Sequence, residues 1–184
     1  MSKRVVVLGV AGVLAVALVV GLYLFQPWRL VTERTVDEQL LLPGPTSATT
    51  QAVTTTVVTT TGPAVTTTPV GPVALASGPF RSLEHETTGT ATLVRLPGGG
   101  HAVQFEALET SDGPDLHVYL SDKPSDSPEA AFGSGFTNLG ELRGNRGNQV
   151  YPVPAEVDLK TVRSVVIWCK RFSAGFAVAP LQQQ

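Results

Sequence analysis

An uninterrupted apolar run near the N-terminus, from Val5 to Phe25, constrains this chain more than any other feature. Its 21 residues give roughly 30 Å of helix at ~1.5 Å per residue, which matches the hydrocarbon core of a bilayer. The run is longer than the apolar region of a cleaved signal peptide, and no small-residue cleavage site follows it. The sequence therefore predicts a transmembrane helix over residues 5–27, preceded by a cytoplasmic N-terminus of residues 1–4.

The charges that flank this run predict its orientation. Lys3 and Arg4 precede it, and basic residues on a short N-terminal flank favour the cytoplasmic side. Arg29 and Arg34 follow it, but acidic residues accompany them. We therefore expect a single-pass protein in the membrane, with a cytoplasmic N-terminus and an extracytoplasmic C-terminal domain.

A juxtamembrane segment, residues 28–42, follows the predicted span. Within it, Thr35-Val36-Asp37-Glu38 fits a helix-capping box ahead of three leucines. The pattern predicts one or two helical turns, which Pro43 ends.

Residues 43–77 are rich in threonine and proline, and no charged residue lies between Glu38 and Arg81. This composition offers no face to bury, and prolines interrupt strand ladders. It predicts a disordered linker that acts as a stalk, either unmodified or O-glycosylated. Fully extended, such a stalk would reach up to about 100 Å.

From Gly78 onward the hydrophobic pattern changes to a period of two, which is typical of strands with one buried face. Turn sequences rich in glycine, proline and asparagine separate the alternating stretches. Strands are predicted at residues 90–96, 101–108, 115–120, 137–143, 149–154, 164–170 and 176–179. The expected fold is all-β, an antiparallel β-sandwich over residues 78–181.

Composition and motifs exclude several functions for this outer domain. It carries 12 acidic and nine basic residues, whereas a nucleic-acid-binding domain needs a basic footprint. The sequence holds no nucleophile elbow, Walker A loop, His-Glu-x-x-His motif or dinucleotide fingerprint. We therefore expect neither a nucleic-acid partner nor a stand-alone enzyme.

Cys169 is the single cysteine, so the chain cannot form an internal disulfide. Alternation along its strand places it on the same face as Val165 and Ile167. Two readings stay open. The side chain can pack as a small hydrophobic group, or its thiolate can serve as a redox group or a ligand.

Histidine and aspartate supply the remaining candidates. His117 shares a strand face with Tyr119 and points outward if Leu116, Val118 and Leu120 face the core, yet it is a candidate partner for Cys169. His85 and His101 sit at loop or turn positions. Asp112 and Asp115 flank Gly113-Pro114; they either help bind a hard cation such as Ca²⁺ or stabilise the turn.

Several segments of the outer domain resemble the DM13 domain. They are Gly78-Pro79-Phe80, His85 to Ala91, Phe105-Glu106, Ser111 to Leu120, Gly144-Asn145 with Gly147-Asn148-Gln149, and Ser164 to Cys169. The resemblance implies a β-sandwich related to DOMON-type domains and a role in extracellular electron transfer. That role centres on a cysteine, here Cys169, acting as a bare thiol or through a bound group such as haem.

The residues themselves identify no cofactor. Met1 is the only methionine, and no Cys-x-x-Cys-His sequence is present, so neither a Met/His haem site in the outer domain nor covalent c-type attachment is available. Two hypotheses of different classes follow. One is a membrane-tethered redox module that acts through Cys169; the other is a non-enzymatic display module that binds an envelope protein or a glycan.

Overall fold

The computed structural model describes residues 3–25, 32–43 and 71–183. Its first element is α1 (Lys3–Phe25), a helix of 23 residues. The side chains described in α1 are those of residues 11–23. The large apolar ones, at positions 13, 14, 16, 18, 19, 20, 22 and 23, are exposed on all sides of the helix. Among the described residues, no helix combines the length and the hydropathy that a membrane span requires.

The rest of the described chain is almost entirely strand. The strands are β1 (Thr35–Asp37), β2 (Val73–Pro79), β3 (Arg81–Ser82), β4 (Thr88–Arg95), β5 (His101–Glu109), β6 (Leu116–Ser121), β7 (Phe136–Glu141), β8 (Arg146–Val153), β9 (Ser164–Cys169), β10 (Ala174–Pro180) and β11 (Gln182–Gln183), with a 3₁₀ helix at Glu129–Gly133. One sheet has the order β1-β8-β5-β4-β2-β11, and the other has the order β3-β10-β9-β6-β7.

Strands β4 to β10 correspond one by one to the seven stretches predicted from the alternating pattern. Their pairings are antiparallel, as expected. The prediction of a mostly β fold with antiparallel sheets is therefore confirmed. It succeeds because core-facing apolar residues recur with a period of two along strands such as β4 and β5, and because β9, which is buried on both faces, is a short apolar run between turns.

One buried hydrophobic cluster takes side chains from both sheets. The six-stranded sheet contributes Ala91, Leu93, Val103, Phe105 and Tyr151, and the five-stranded sheet contributes Leu116, Val118, Leu120, Val165, Ile167 and Cys169. These residues alternate with outward-facing neighbours along each strand. The two sheets thus share a single core.

Residues 32–42, here named the strap, lie on the edge of the six-stranded sheet. The prediction of helical turns after Thr35 is wrong, because residues 35–37 form β1 and pair in parallel with β8. Local capping signals favour a helix only weakly, and pairing with an open sheet edge supplies more hydrogen bonds than one isolated turn.

Strand β2 begins at Val73, inside the segment that composition predicted to be linker. Its residues pair with β4, and Ala76 is buried. The stretch from Val73 to Ser77 follows the last proline of the segment and can therefore join a ladder. The remaining linker residues, 44–70, lie outside the described residues.

A buried polar network supports the loop beneath the strap. The Gln149 side chain accepts a hydrogen bond from the Gly144 N–H (3.2 Å) and donates one to the Gly144 carbonyl (2.8 Å). The Tyr151 hydroxyl donates to Gln149 Oε1 (2.6 Å) and accepts from the Arg143 N–H (3.1 Å). Gln149 and Tyr151 are almost fully buried, so this network fixes the loop at residues 143–147.

We expect the stability of the fold to fall at alkaline pH because of Tyr151. Burial raises the pKa of Tyr151 to about 12, against about 10 in the unfolded chain. The fold favours the neutral phenol, so this contribution is complete below about pH 10 and is lost as pH rises towards about 12. The free energy of unfolding should fall by about 2–3 kcal/mol over that range.

Urea unfolding across the alkaline range checks this expectation. In Tyr151→Phe the alkaline decrease should be much smaller. Tyr119→Phe should retain most of the decrease, although burial also raises the pKa of Tyr119. An unchanged decrease in Tyr151→Phe would assign the effect to other groups.

Candidate functional site

Cys169 is the last residue of β9 and lies in the core that the two sheets share. In its sheet β9 lies between β10 and β6, and Cys169 is opposite Ala174 on one side and Leu116 on the other. The thiol is free and its side chain is 0% exposed. Cys169 belongs to the shared core with Val165 and Ile167. The side chain thus packs like a small hydrophobic group, and solvent does not reach the sulfur.

His117 lies on the opposite face of the same sheet. Its cross-strand neighbour is Trp168, whereas Leu116 is the neighbour of Cys169. Because side chains alternate between the two faces, the sheet itself separates the imidazole from the thiol. The structure does not bring His117 and Cys169 together.

Both ring nitrogens of His117 face oxygen atoms. Nε2 is 3.0 Å from Asp115 Oδ1, and Nδ1 is 3.3 Å from Asn138 Oδ1. The Gly140 N–H donates to the same Asn138 oxygen (2.9 Å), which identifies that atom as an acceptor. Asp115 and Asn138 thus hold the imidazole in one orientation on this face of the sheet.

Aromatic side chains cover the outer face of this sheet beside His117. The rings of Tyr119 and Phe136 stack with centroids 3.9 Å apart, and Trp168 lies 6.4 Å from Tyr119. We call Tyr119, Phe132, Phe136 and Trp168 the outer aromatic cluster. An open pocket of about 450 Å³ adjoins it and is lined by Tyr119, Ala130, Gly133, Phe136, Trp168, Lys170 and Ser173.

This cluster was not predicted as a site from the sequence. Alternation does place Trp168 opposite Cys169 and Tyr119 beside His117. It gives no signal that Phe136, on β7, stacks on Tyr119, because that contact depends on which strands are neighbours.

Asp112 and Asp115 have different partners. Asp112 is 2% exposed; its Oδ1 accepts the Gly113 N–H (2.9 Å) and its Oδ2 accepts the Thr32 hydroxyl (3.1 Å). Asp115 binds His117 instead. In the described part of the chain, no group of three or more His, Cys, Asp or Glu side chains could hold a metal ion.

The other two histidines have different surroundings. The His85 ring stacks on Phe176 with centroids 3.8 Å apart, and burial lowers its pKa although the Glu84 carboxylate acts in the opposite direction. His101 opens β5, where it pairs with Arg95 and Val153. Phe176 belongs to the same core cluster as Cys169, so the His85 ring contacts the core that encloses the thiol, whereas His101 lies in the other sheet.

The residues around Cys169 do not fit haem. A haem needs an axial ligand and a planar cavity beside the iron. The Cys169 side chain has no exposed surface and is enclosed by the aliphatic and aromatic side chains of the core. The imidazole of His117, the nearest histidine along the sheet, lies on the other face.

Comparison with known proteins gives one match. The family model for the DM13 domain, described as "Electron transfer DM13", matches residues 79–181, more than half of the chain. No curated protein and no solved structure matches significantly. The strap, most of β2 and α1 lie outside the matched residues.

Proposed function

Because the chain belongs to the DM13 family, we propose that it is a membrane-tethered, extracytoplasmic module that takes part in electron transfer. The family match over residues 79–181 is the observation that carries this proposal. The shared core of the two sheets supports the β-sandwich arrangement that the family implies.

The apolar run of the sequence supports the tether. Thirteen residues of α1 have described side chains (positions 11–23), and they are apolar all round, which is unfavourable in water. The full run from Val5 to Phe25 adds eight more, enough for a bilayer core of about 30 Å. Lys3 and Arg4 favour a cytoplasmic N-terminus and hence an extracytoplasmic domain.

We assign the redox role to Cys169, the single thiol of the chain. Its burial limits how that role can be performed, because a partner cannot touch the sulfur while the sheet is closed. Electron transfer between the thiol and a partner then requires either that the sheet opens or that the electron passes through Trp168, the residue before Cys169 on β9. The ring of Trp168 lies in the outer aromatic cluster.

Protein-film voltammetry of the purified full chain in detergent tests this role, together with absorbance in the haem and flavin regions. Cys169→Ala should abolish the redox response while the fold is retained. Val165→Ala is the matched control, since Val165 is on the same core face and is equally buried. A response that survives in Cys169→Ala would overturn the assignment to the thiol.

The second candidate function is an interaction module. It is favoured by the exposure of Phe136 and Phe172, two large apolar side chains at 39% and 48% exposure, near the pocket of the outer aromatic cluster. A Phe136→Ser variant that loses biological activity, together with a Cys169→Ala variant that keeps it, would favour binding of a protein or glycan over redox chemistry.

A further inference from the structure

The strap is bound to the domain along its whole length. The main chain of β1 pairs with Arg146, Gly147 and Asn148 of β8. Beyond the strand, the Glu38 N–H donates to the Asn148 carbonyl (2.9 Å), which extends the ladder. These bonds close the edge of the six-stranded sheet that β8 would otherwise expose.

Charged side chains hold both ends of β1. The Arg34 N–H donates to Asn145 Oδ1 (2.7 Å), and its guanidinium donates to the Leu142 carbonyl (3.2 Å) and lies 3.8 Å from the buried Asp112 carboxylate. Glu38 accepts the Val150 N–H (2.8 Å) and forms an ion pair with Arg143. Each contact joins the strap to residues far along the chain.

The end of the strap crosses onto the outer face of the sheet. The N–H groups of Leu41 and Leu42 both donate to Gln104 Oε1 (3.1 Å each), and Gln104 Nε2 donates to the Leu42 carbonyl (3.3 Å). Gln104 is only 2% exposed, and its outward-facing neighbours Val94 and Ala102 are buried as well. The strap thus belongs to the folded domain.

Two glycines of the neighbouring loop leave room for the backbone of the strap. A Cβ on Gly147 would overlap the Val36 carbonyl oxygen, and a Cβ on Gly144 would overlap the Arg34 carbonyl oxygen. Gly147 also has a φ of +99°. The loop below the strap therefore has glycine where the strap backbone comes closest.

The position of the strap in the chain limits the distance between the end of α1 and the start of the strap. α1 ends at Phe25 and the strap begins at Thr32, seven Cα–Cα steps later. Seven steps span at most about 25 Å. The Thr/Pro-rich residues 44–70 follow the strap, so their length does not enter this distance.

We infer that the strap holds the domain at the bilayer surface. This inference rests on the membrane anchoring proposed above. In this arrangement the end that carries Thr32 would face the bilayer. Its groove of about 420 Å³ is lined by polar residues only, four of them acidic (Glu33, Glu86, Glu109 and Asp112) and one basic (Arg146). Such an end suits the headgroup region, without insertion into the hydrocarbon.

Energy transfer from the domain to labelled lipids tests the inference. The full chain carries a donor dye at Lys160→Cys, an exposed position, in nanodiscs of phosphatidylcholine with a dye-labelled headgroup. One variant lacks residues 50–66 and a second carries this stretch twice. We expect the same transfer efficiency in all three chains, because the altered stretch lies beyond the strap.

A stalk would give a different result. Removal of 17 extended residues, 50–66, would bring a stalk-borne domain closer by up to about 50 Å. An energy-transfer efficiency that changes with the length of residues 44–70 would therefore overturn the inference. A strap-release control, Gly147→Val, should lower the transfer efficiency and make it depend on that length.

Failure of the anchoring proposal gives a separate signal. A chain that does not co-purify with the nanodiscs, or float with phosphatidylcholine vesicles, lacks the anchor. In that case the inference that the strap holds the domain at the bilayer surface is also refuted. A chain that floats but shows length-dependent transfer retains the anchor and refutes the strap alone.

Discussion

Gly147→Ala is expected to destabilise the full chain by about 2 kcal/mol more than Gly140→Ala. Both glycines have positive φ, at +99° and +118°, so each substitution carries a conformational cost of about 1–2 kcal/mol. They differ in their surroundings. A Cβ at Gly140 meets nothing within 4 Å, whereas at Gly147 it overlaps the Val36 carbonyl oxygen of the strap.

Two measurements separate the strap from the rest of the domain. Urea unfolding gives the difference in stability, and tryptic cleavage after Arg34, followed by mass spectrometry, reports release of the strap. Cleavage should be faster in Gly147→Ala than in Gly140→Ala, because the clash is relieved when the strap leaves β8. Equal stabilities and equal cleavage rates in the two variants would mean that the strap is not seated on β8.

The thiol of Cys169 is expected to react with a disulfide reagent at least about a thousandfold more slowly in the native chain than in the unfolded chain. Its side chain is wholly buried on β9, the central strand of its sheet. Exposure of the sulfur therefore requires an opening close to global unfolding, whose free energy is typically 5–15 kcal/mol.

A Lys160→Cys variant supplies the control within the same molecule. Residue 160 is exposed, so the added thiol should react at the rate of an unprotected cysteine while Cys169 stays protected. Two thiols reacting at the same rate without denaturant would contradict the burial of Cys169. That outcome would also make direct thiol exchange with a partner available to the redox proposal.

The alternating pattern was sufficient to predict most of the sheets. Strands such as β4 and β5 carry core-facing apolar side chains at every second position, whereas β9 is buried on both faces and is a short, continuous apolar run. The face of Cys169 followed from the same periodicity, since Val165, Ile167 and Cys169 are two residues apart. Local sequence encodes these features because each depends on spacing within one strand.

The candidate site was predicted only in part. Alternation set Cys169 and His117 on definite faces of their own strands, but it did not show that these faces are opposite sides of one sheet. The stacking of Phe136 on Tyr119 and the binding of Asp115 to His117 join residues whose proximity depends on strand order and register. A single strand does not carry that information.

The amino-acid sequence alone was enough to establish the apolar segment at residues 5–25, the β character of residues 78–181 and the single thiol. These depend on composition and on short-range periodicity. Tertiary contacts, by contrast, establish that residues 35–37 form a strand of the domain and not a helical turn. The partner of β1 is β8, more than a hundred residues later in the chain, and hydrogen bonds to that distant edge outweigh the weak local preference for a helix.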